Sequence, residues 1–378
     1  MKKTTFSILC LEGAVLSFNV AAAAALIPSI ASDFVLSQFV VGKIVWLYML
    51  PYGLAALLYG PLVRAFDARR VELVCIFLFS LANLAAGLSQ NITTLFVARF
   101  FMGLFGASVI PLGLILIAKR VSQDKRGGYI GLFFGSTFIA SLLGLFLSGI
   151  IPWRLIFIIP AILGFILWMV MYIYLPSFKD NLGALRFGYF TAFRNKKVIK
   201  IFVYIFLISM IYHAVQQWLG VYFSTQWFLN QFTISMLITL TSFSGIFGEF
   251  FGGHLADRIG RPRVVNLGIM AMVLCILLLL FKLPLILLSL VMIIWGLGWT
   301  FNHVGLSTML TDLPAELLNE AASLNSGVRF IAGGLGVSLG GLIMQKSFIL
   351  GFLVFGTGLL ILLLFSRLVS NKNIGGEQ

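Results

Sequence analysis

Acidic residues are scarce in this chain. Only 12 Asp and Glu stand against 26 Lys and Arg among 378 residues, and charged residues make up 10%. Histidine and cysteine are rarer still, at three each. No metal-ligand spacing or disulfide framework follows, and Cys10, Cys75 and Cys275 all fall inside apolar runs, where they carry no information on redox compartment. No phosphate-binding loop, metal cluster or nucleophile constellation is present, so a nucleotide-driven pump and an enzyme are both disfavoured and no cofactor or metal is expected.

Apolar residues are what the chain has in abundance: 60% of the sequence, with a mean hydropathy of +1.07. A soluble fold of this length has too few polar residues here to cover such a surface. About twenty apolar residues span a bilayer. The runs predict twelve spans at 6–29, 40–63, 71–90, 93–118, 127–150, 153–175, 199–224, 232–254, 264–282, 284–310, 322–344 and 348–368. The fold class is therefore all-α integral membrane, in two pseudo-symmetric six-helix bundles. The longest connection, 176–198, carries Lys179, Arg186, Arg194, Lys196 and Lys197 and divides an N-terminal bundle (1–175) from a C-terminal one (199–378). Glu12 interrupts the first apolar run, which continues past residue 20, so a retained span is expected there rather than a cleaved signal.

The net charge of +14 raises the question of nucleic acid. Position answers it, because 20 of the 26 basic residues lie on alternate connections, while Lys43, Arg154, Lys282 and Lys346 stand alone on the others. That asymmetry places both termini in the cytoplasm of a bacterial-type inner membrane, with the bilayer, not nucleic acid, as partner.

One connection is distinctive. Gly253–Arg261 reads G-H-L-A-D-R-I-G-R between the second and third spans of the second half, and a damaged copy begins at Gly60, 193 positions earlier. Gly253, Leu255, Ala256, Asp257, Arg258, Gly260, Arg261 and Arg263 match the G-x-L-A-D-R-x-G-R-x-R signature, and on them the chain resembles the major facilitator superfamily over essentially its full length. Arg99, Gly103, Gly106 and Ala107 in span 4 resemble a further family pattern, as do Pro152–Phe157 at the start of span 6. Ile27–Ile30 through Asp33-Phe34 is similar to the twelve-span drug/proton antiporter branch. Span 5 departs from that branch, since Gly144 is followed by Leu145 where a G-P step is usual. Its glycines, Gly131, Gly135, Gly144 and Gly149, are expected to permit close helix approach.

The resemblance implies a gating role for Gly253, Asp257, Arg258, Gly260 and Arg261, and for Gly60, Arg64, Arg69 and Arg70 of the first copy; packing of the hairpin is the plainer alternative. In the first copy Arg64 stands where the signature has Asp, while Asp312, Glu316 and Glu320 follow span 10 without a basic residue. This exchange predicts a charge-swapped latch between Arg64 and Glu316 or Glu320, weak where exposed.

Ionisable residues within spans mark a pathway or a partner. Glu12, His303 and Arg329 lie roughly 13 Å from the basic end of their spans, counted at 1.5 Å per residue. The family architecture implies that spans 1, 4, 7 and 10 line a central cavity. Glu12 and Asn19 share one face of span 1; His213, Gln216 and Gln217 share one of span 7; Trp295, Trp299 and His303 recur every four residues in span 10, with Asn302 alongside. Spans 3, 6, 9 and 12 are expected at the periphery. Glu12 is the first candidate for proton coupling, with His303 and Glu249 next; an ion pair of Glu12 with Arg329 is the structural alternative. Asn19, His213, Gln216, Gln217, Trp295, Trp299, Asn302 and Arg99 are the cavity candidates, Arg99 chiefly as a tie from span 4 to span 1. Trp218 and Tyr222 read as packing. The function expected is export of a small amphipathic or cationic compound by alternating access in exchange for protons, by a monomer. An uptake symporter or uniporter, and a non-transporting scaffold or sensor, are the alternatives.

Overall fold

The computed structural model describes residues 2–177, 195–310 and 315–366, without the side chains of 60, 63, 64, 118, 119, 123, 124, 127, 196, 197 and 315–323. Among the described residues, twelve helical segments are long and apolar enough to cross a membrane. They are span 1 (Lys3–Ala25), 2 (Gln38–Tyr59), 3 (Ala68–Gly87), 4 (Ile92–Ile117), 5 (Gly128–Ser148), 6 (Trp153–Tyr174), 7 (Val198–Gln226), 8 (Gln231–Ile259), 9 (Arg261–Leu279), 10 (Leu285–Leu310), 11 (Leu324–Met344) and 12 (Phe348–Phe365). Helix is the natural state of these runs, because a chain in hydrocarbon must satisfy its backbone groups within itself. Their ends are set by ordinary capping: Asp67 accepts from Arg69 N (3.1 Å), Asn91 from Thr94 N (2.9 Å) and Ser347 from Leu350 N (3.3 Å). Span 1 is not one continuous helix. Lys3–Ser17 gives way to a turn before Ala22–Ala25, and a separate helix, Ile27–Phe34, follows.

The chain forms two compact units, Met1–Phe187 with Gln217–Met236, and Gly188–Gln216 with Leu237–Gln378. The same helix pairings recur in each: span 1 on span 5 and 3 on 4 and 6 in the first; 7 on 11 and 9 on 10 and 12 in the second. That recurrence is the pseudo-symmetry expected from the duplicated connection.

Inside the first unit, the segment 217–236 is bound to the ends of spans 1, 2 and 5. Phe39 stacks on Trp218 at 5.0 Å between centroids, and Gln38 Nε2 donates to Ser224 Oγ (3.1 Å). Gln231 accepts from Ser29 Oγ (2.7 Å) and donates to Ala25 O (2.9 Å), while the hydroxyls of Ser148 and Ser235 meet at 3.0 Å. Two of the sequence patterns also meet here. Arg154 pairs with Asp33 at 2.9 Å, and Trp153 Nε1 donates to the same carboxylate (3.1 Å).

The glycines of span 5 divide. A Cβ added to Gly144 would run into the Phe18 carbonyl, so the turn in span 1 lies directly against this helix. Gly131 and Gly135 have nothing within 4 Å of that position, which corrects the expectation that all four serve close approach. Gly260 is required for a different reason: its φ of +92° is strained for any residue with a side chain.

Two consequences are measurable by thermal unfolding in detergent. Gly144→Ala must displace backbone and should destabilise by about 1–3 kcal/mol. Gly131→Ala, in the same helix, should be neutral or stabilising by up to ~1 kcal/mol; equal losses from both would contradict this packing.

Candidate functional site

Two groups of polar and aromatic side chains are gathered within the spans, one in each unit. In the first, Glu12 of span 1 and Glu72 of span 3 are both 0% exposed. All four of their carboxyl oxygens are buried without a hydrogen-bond partner among the described residues. Seven residues along, Asn19 Nδ2 donates to Asn83 Oδ1 (2.6 Å), and Asn83 Nδ2 returns to Phe79 O of its own helix (2.9 Å). Glu12 and Asn19 therefore do share a face, as their spacing predicts. That face meets span 3, however, and both side chains are fully buried there.

Span 3 thus carries chemistry that sequence reasoning assigned to no site. Glu72 and Asn83 are eleven apart, three helical turns, and so stand on one side of the helix. This periodicity was the available signal. It was hidden because Glu72 lies close to the basic connection, where a charge draws no notice.

Arg99 also departs from expectation. Its Nε donates to Ile44 O of span 2 (3.0 Å), and its guanidinium lies 4.5 Å from the Tyr48 ring centroid and 5.8 Å from that of Phe157. It ties span 4 to spans 2 and 6, not to span 1. The physical reason is that an aromatic face and a carbonyl can hold a buried guanidinium where no carboxylate is in reach. It is 1% exposed.

The second unit holds an aromatic stack. Tyr212 of span 7 lies flat on Trp299 of span 10, with centroids 4.0 Å apart and planes within 10°, and beside Trp295 at 5.4 Å. The His213 ring meets Trp299 edge-on at 5.4 Å, with Nδ1 2.8 Å from Ser209 O. Trp295 Nε1 donates to Gln216 Oε1 (2.6 Å). Trp295 and Trp299, four apart on span 10, thus meet His213 and Gln216 of span 7. A third aromatic, Tyr212, was missed because it lies in an unbroken apolar run.

Next to the stack, His303 Nδ1 is 2.7 Å from Glu249 Oε1 of span 8, and both side chains are about one-third exposed. Arg329 of span 11 donates from Nε to Asn325 Oδ1 (2.9 Å) and from Nη2 to Ser307 Oγ (3.3 Å), and its charge lies 5.9 Å from the Trp299 centroid. Asn302 is turned away: it is fully buried and donates to Gly298 O (2.8 Å) on the side of Gly268, so it lies between spans 9 and 10 and not on the stripe. Gln217 belongs to the first unit and joins neither group.

In the signature connection Asp257 and Arg258 are exposed, and Gly260 makes the bend that starts span 9, with Gly253 and Arg261 half-buried on either side. In the first copy Arg69 bonds from Nη2 to Tyr172 O, Arg70 is exposed, and Asp67 caps span 3 while accepting from Ser177 Oγ (2.7 Å). Gly60 and the side chains of Arg64, Glu316 and Glu320, and with them the charge-swapped latch, lie outside what the structure describes.

The polar groups of this membrane protein gather on facing helices and not at a soluble active site, and the comparisons with known proteins agree. A profile of the Major Facilitator Superfamily matches residues 9–337 and, in an overlapping match, 229–375. The uncharacterised MFS-type transporter YbcL of Bacillus subtilis is 22% identical over 337 residues, 88% of this chain and 86% of its own. The purine ribonucleoside efflux pump NepI of Salmonella paratyphi B is 22% identical over 343 residues, covering 89% of this chain and 86% of the pump. Among solved structures, the nucleoside transporter NupG superposes with a TM-score of 0.77 at 15% identity, over 98% of this chain and 100% of its own. A D-xylose-proton symporter does so with 0.74 at 13%, over 96% of each chain. With a family profile running through nearly the whole sequence and a shared twelve-span fold, the chain belongs to the Major Facilitator Superfamily and is a multi-pass membrane transporter, not an enzyme.

Proposed function

We propose that this transporter exports a small amphipathic compound bearing a planar ring, by alternating access and in exchange for protons. The observation that carries this reading is the Tyr212–Trp299–Trp295 stack with His213 and Gln216 at its edge. Such a surface offers a flat apolar face for a ring and hydrogen-bonding groups at its rim, the composition of a small-molecule site. Relatives named as a purine ribonucleoside efflux pump and a nucleoside transporter support a ring of that kind. The Glu249–His303 pair, 2.7 Å apart, and Glu12 are the proton-exchanging groups of this proposal, because ionisable side chains within spans mark a pathway.

The basic connections face the cytoplasm of a bacterial-type inner membrane in this reading. The segment 217–236 then serves as the gate on the opposite side, held by Gln231, Ser148 and Ser235 against the first bundle. The likeness to a nucleoside transporter and a sugar–proton symporter favours one second reading, uptake of a metabolite together with protons.

The direct test is flux into proteoliposomes under an imposed pH gradient, with radiolabelled adenosine and a fluorescent lipophilic cation as probes. Flux of either probe opposite to the proton gradient is expected; flux running with it establishes the uptake reading instead. Trp299→Ala removes the ring that lies flat on Tyr212, worth about 0.5–1.5 kcal/mol. It should raise KM roughly 2- to 10-fold, and an unchanged KM would remove the stack from substrate binding. Orientation is checked by labelling with a membrane-impermeant maleimide. Lys346→Cys should react in intact cells and Arg263→Cys only after the membrane is opened.

A further inference from the structure

The aromatic stack of the second unit has beside it a guanidinium bonded only to neutral groups. Arg329 is 7% exposed, and among the described residues its partners are Asn325 Oδ1, Ser307 Oγ and His303 O. Its Nη1 is buried with no hydrogen-bond partner among them, and Glu249 is taken by His303 at 2.7 Å. A donor is thus left over inside a span, where an unmade hydrogen bond is costly. His213 supplies the complement. Its Nδ1 lies 2.8 Å from Ser209 O, which can only accept, so Nδ1 carries the proton and Nε2 of the neutral ring is an acceptor. Both groups lie near one indole: the His213 centroid is 5.4 Å and the Arg329 guanidinium 5.9 Å from the Trp299 centroid. Tyr212 covers one face of that indole, yet Trp299 stays only half-buried. Charge adds a further restriction. Glu249 contributes one negative charge and Arg329 one positive, while His213 and His303 each contribute none or one positive. This group of described residues therefore sums to zero or above, and offers no net negative charge to a cation.

We propose that the substrate of this site is an uncharged planar heterocycle with a carbonyl oxygen beside a ring N–H, selected by Arg329 and His213; the proposal rests on the planar-ring reading above. The ring stacks on the face of Trp299 that Tyr212 leaves. Its carbonyl accepts from the Arg329 guanidinium, and its N–H donates to Nε2 of His213. Asn325 and Ser307, which hold Arg329 in this structure, are neutral and partly exposed, so a substrate oxygen can take the place of either on the guanidinium. An amino group in place of the carbonyl sets donor against donor and leaves both unpaired, which is how a polar site rejects a near-isostere. A lipophilic cation, which the aromatic faces alone would attract, meets a positive charge already beside Trp299. The stack thus holds rings in general, and Arg329 is the specificity-determining residue.

The test is equilibrium binding of radiolabelled inosine and adenosine, with the fluorescent lipophilic cation as competitor, to wild type, Arg329→Met and His213→Phe in liposomes. The two nucleosides differ only at one ring edge: carbonyl and N–H in inosine, amino group and bare nitrogen in adenosine. Wild type should bind inosine roughly 10- to 100-fold more tightly, the range of a hydrogen bond to a charged donor, and the cation should displace neither. Arg329→Met should bring inosine down to the affinity of adenosine and leave adenosine unchanged. His213→Phe should narrow the ratio by itself, which keeps the proposal open to refutation if a thermal melt shows Arg329→Met unfolded. Equal wild-type affinities, or a preference for adenosine or the cation, overturn the selection while the ring-binding stack stands. A preference that survives both substitutions, or an equal loss of both nucleosides in a folded Arg329→Met, overturns it too, the latter by making Arg329 merely structural. Binding of neither nucleoside overturns the planar-ring reading and this proposal with it.

Discussion

Hydrocarbon offers no hydrogen bonds, and this one constraint organises the whole molecule. Each polar side chain within a span must bond back to its own helix or find a partner on another. Many take the first route: Ser80 to Ile76 O, Thr300 to Gly296 O and Asn302 to Gly298 O all donate to the carbonyl four residues earlier. The two hydroxyls thereby spend their one donor on their own helix. The groups that carry chemistry are those that could not be satisfied locally. Glutamate has no donor to give a carbonyl when ionised, and an arginine has more donors than one turn of helix can receive. They reach across to neighbouring helices, and the places where they meet become the candidate sites.

The two units solve this problem in opposite ways. In the first, the fully buried charges have no ion-pair partner among the described residues: Glu12 and Glu72 are sealed without a base, and Arg99 rests on Tyr48 and the Ile44 carbonyl, while the Arg154–Asp33 pair lies where the surface begins. In the second, acid and base are brought near, with Glu249 on His303 and Arg329 bonded to Asn325 and Ser307 beside Trp299. A duplicated fold therefore holds two unlike chemistries. The packing scheme is inherited by both halves, while the few polar positions within it differ.

The boundary between the units shows how far packing can depart from chain order. The obvious seam in the sequence is the basic connection at 176–198, and one division between the compact units falls inside it, but two more fall within spans 7 and 8. Residues 217–236 pack with the first unit because their polar members, Ser224, Gln231 and Ser235, find partners on spans 1, 2 and 5, and Trp218 fills the space left by Gly42 against Phe39. These contacts, made of hydroxyls, amides and one aromatic stack, carry no net charge and so bury no ion.

Much of the architecture was legible in residue order alone. Apolar run length counted the twelve spans, the duplicated glycine-and-arginine connection announced two related bundles, and Gly260 marked a bend that only glycine tolerates. These are local properties, set by rise per residue, by backbone sterics and by the cost of burying charge, and they need no knowledge of neighbours. Spacing also reported several faces, Glu12 with Asn19, and His213, Gln216, Trp295 and Trp299 around one stack, though Gln217 left the face it was assigned. What it could not report was what each face meets. Only the tertiary packing decided that Asn19 meets Asn83 of span 3, that Arg99 reaches spans 2 and 6, and that Asn302 turns toward span 9. Periodicity fixes an angle about a helix's own axis, whereas a partner depends on where the intervening chain brings another helix.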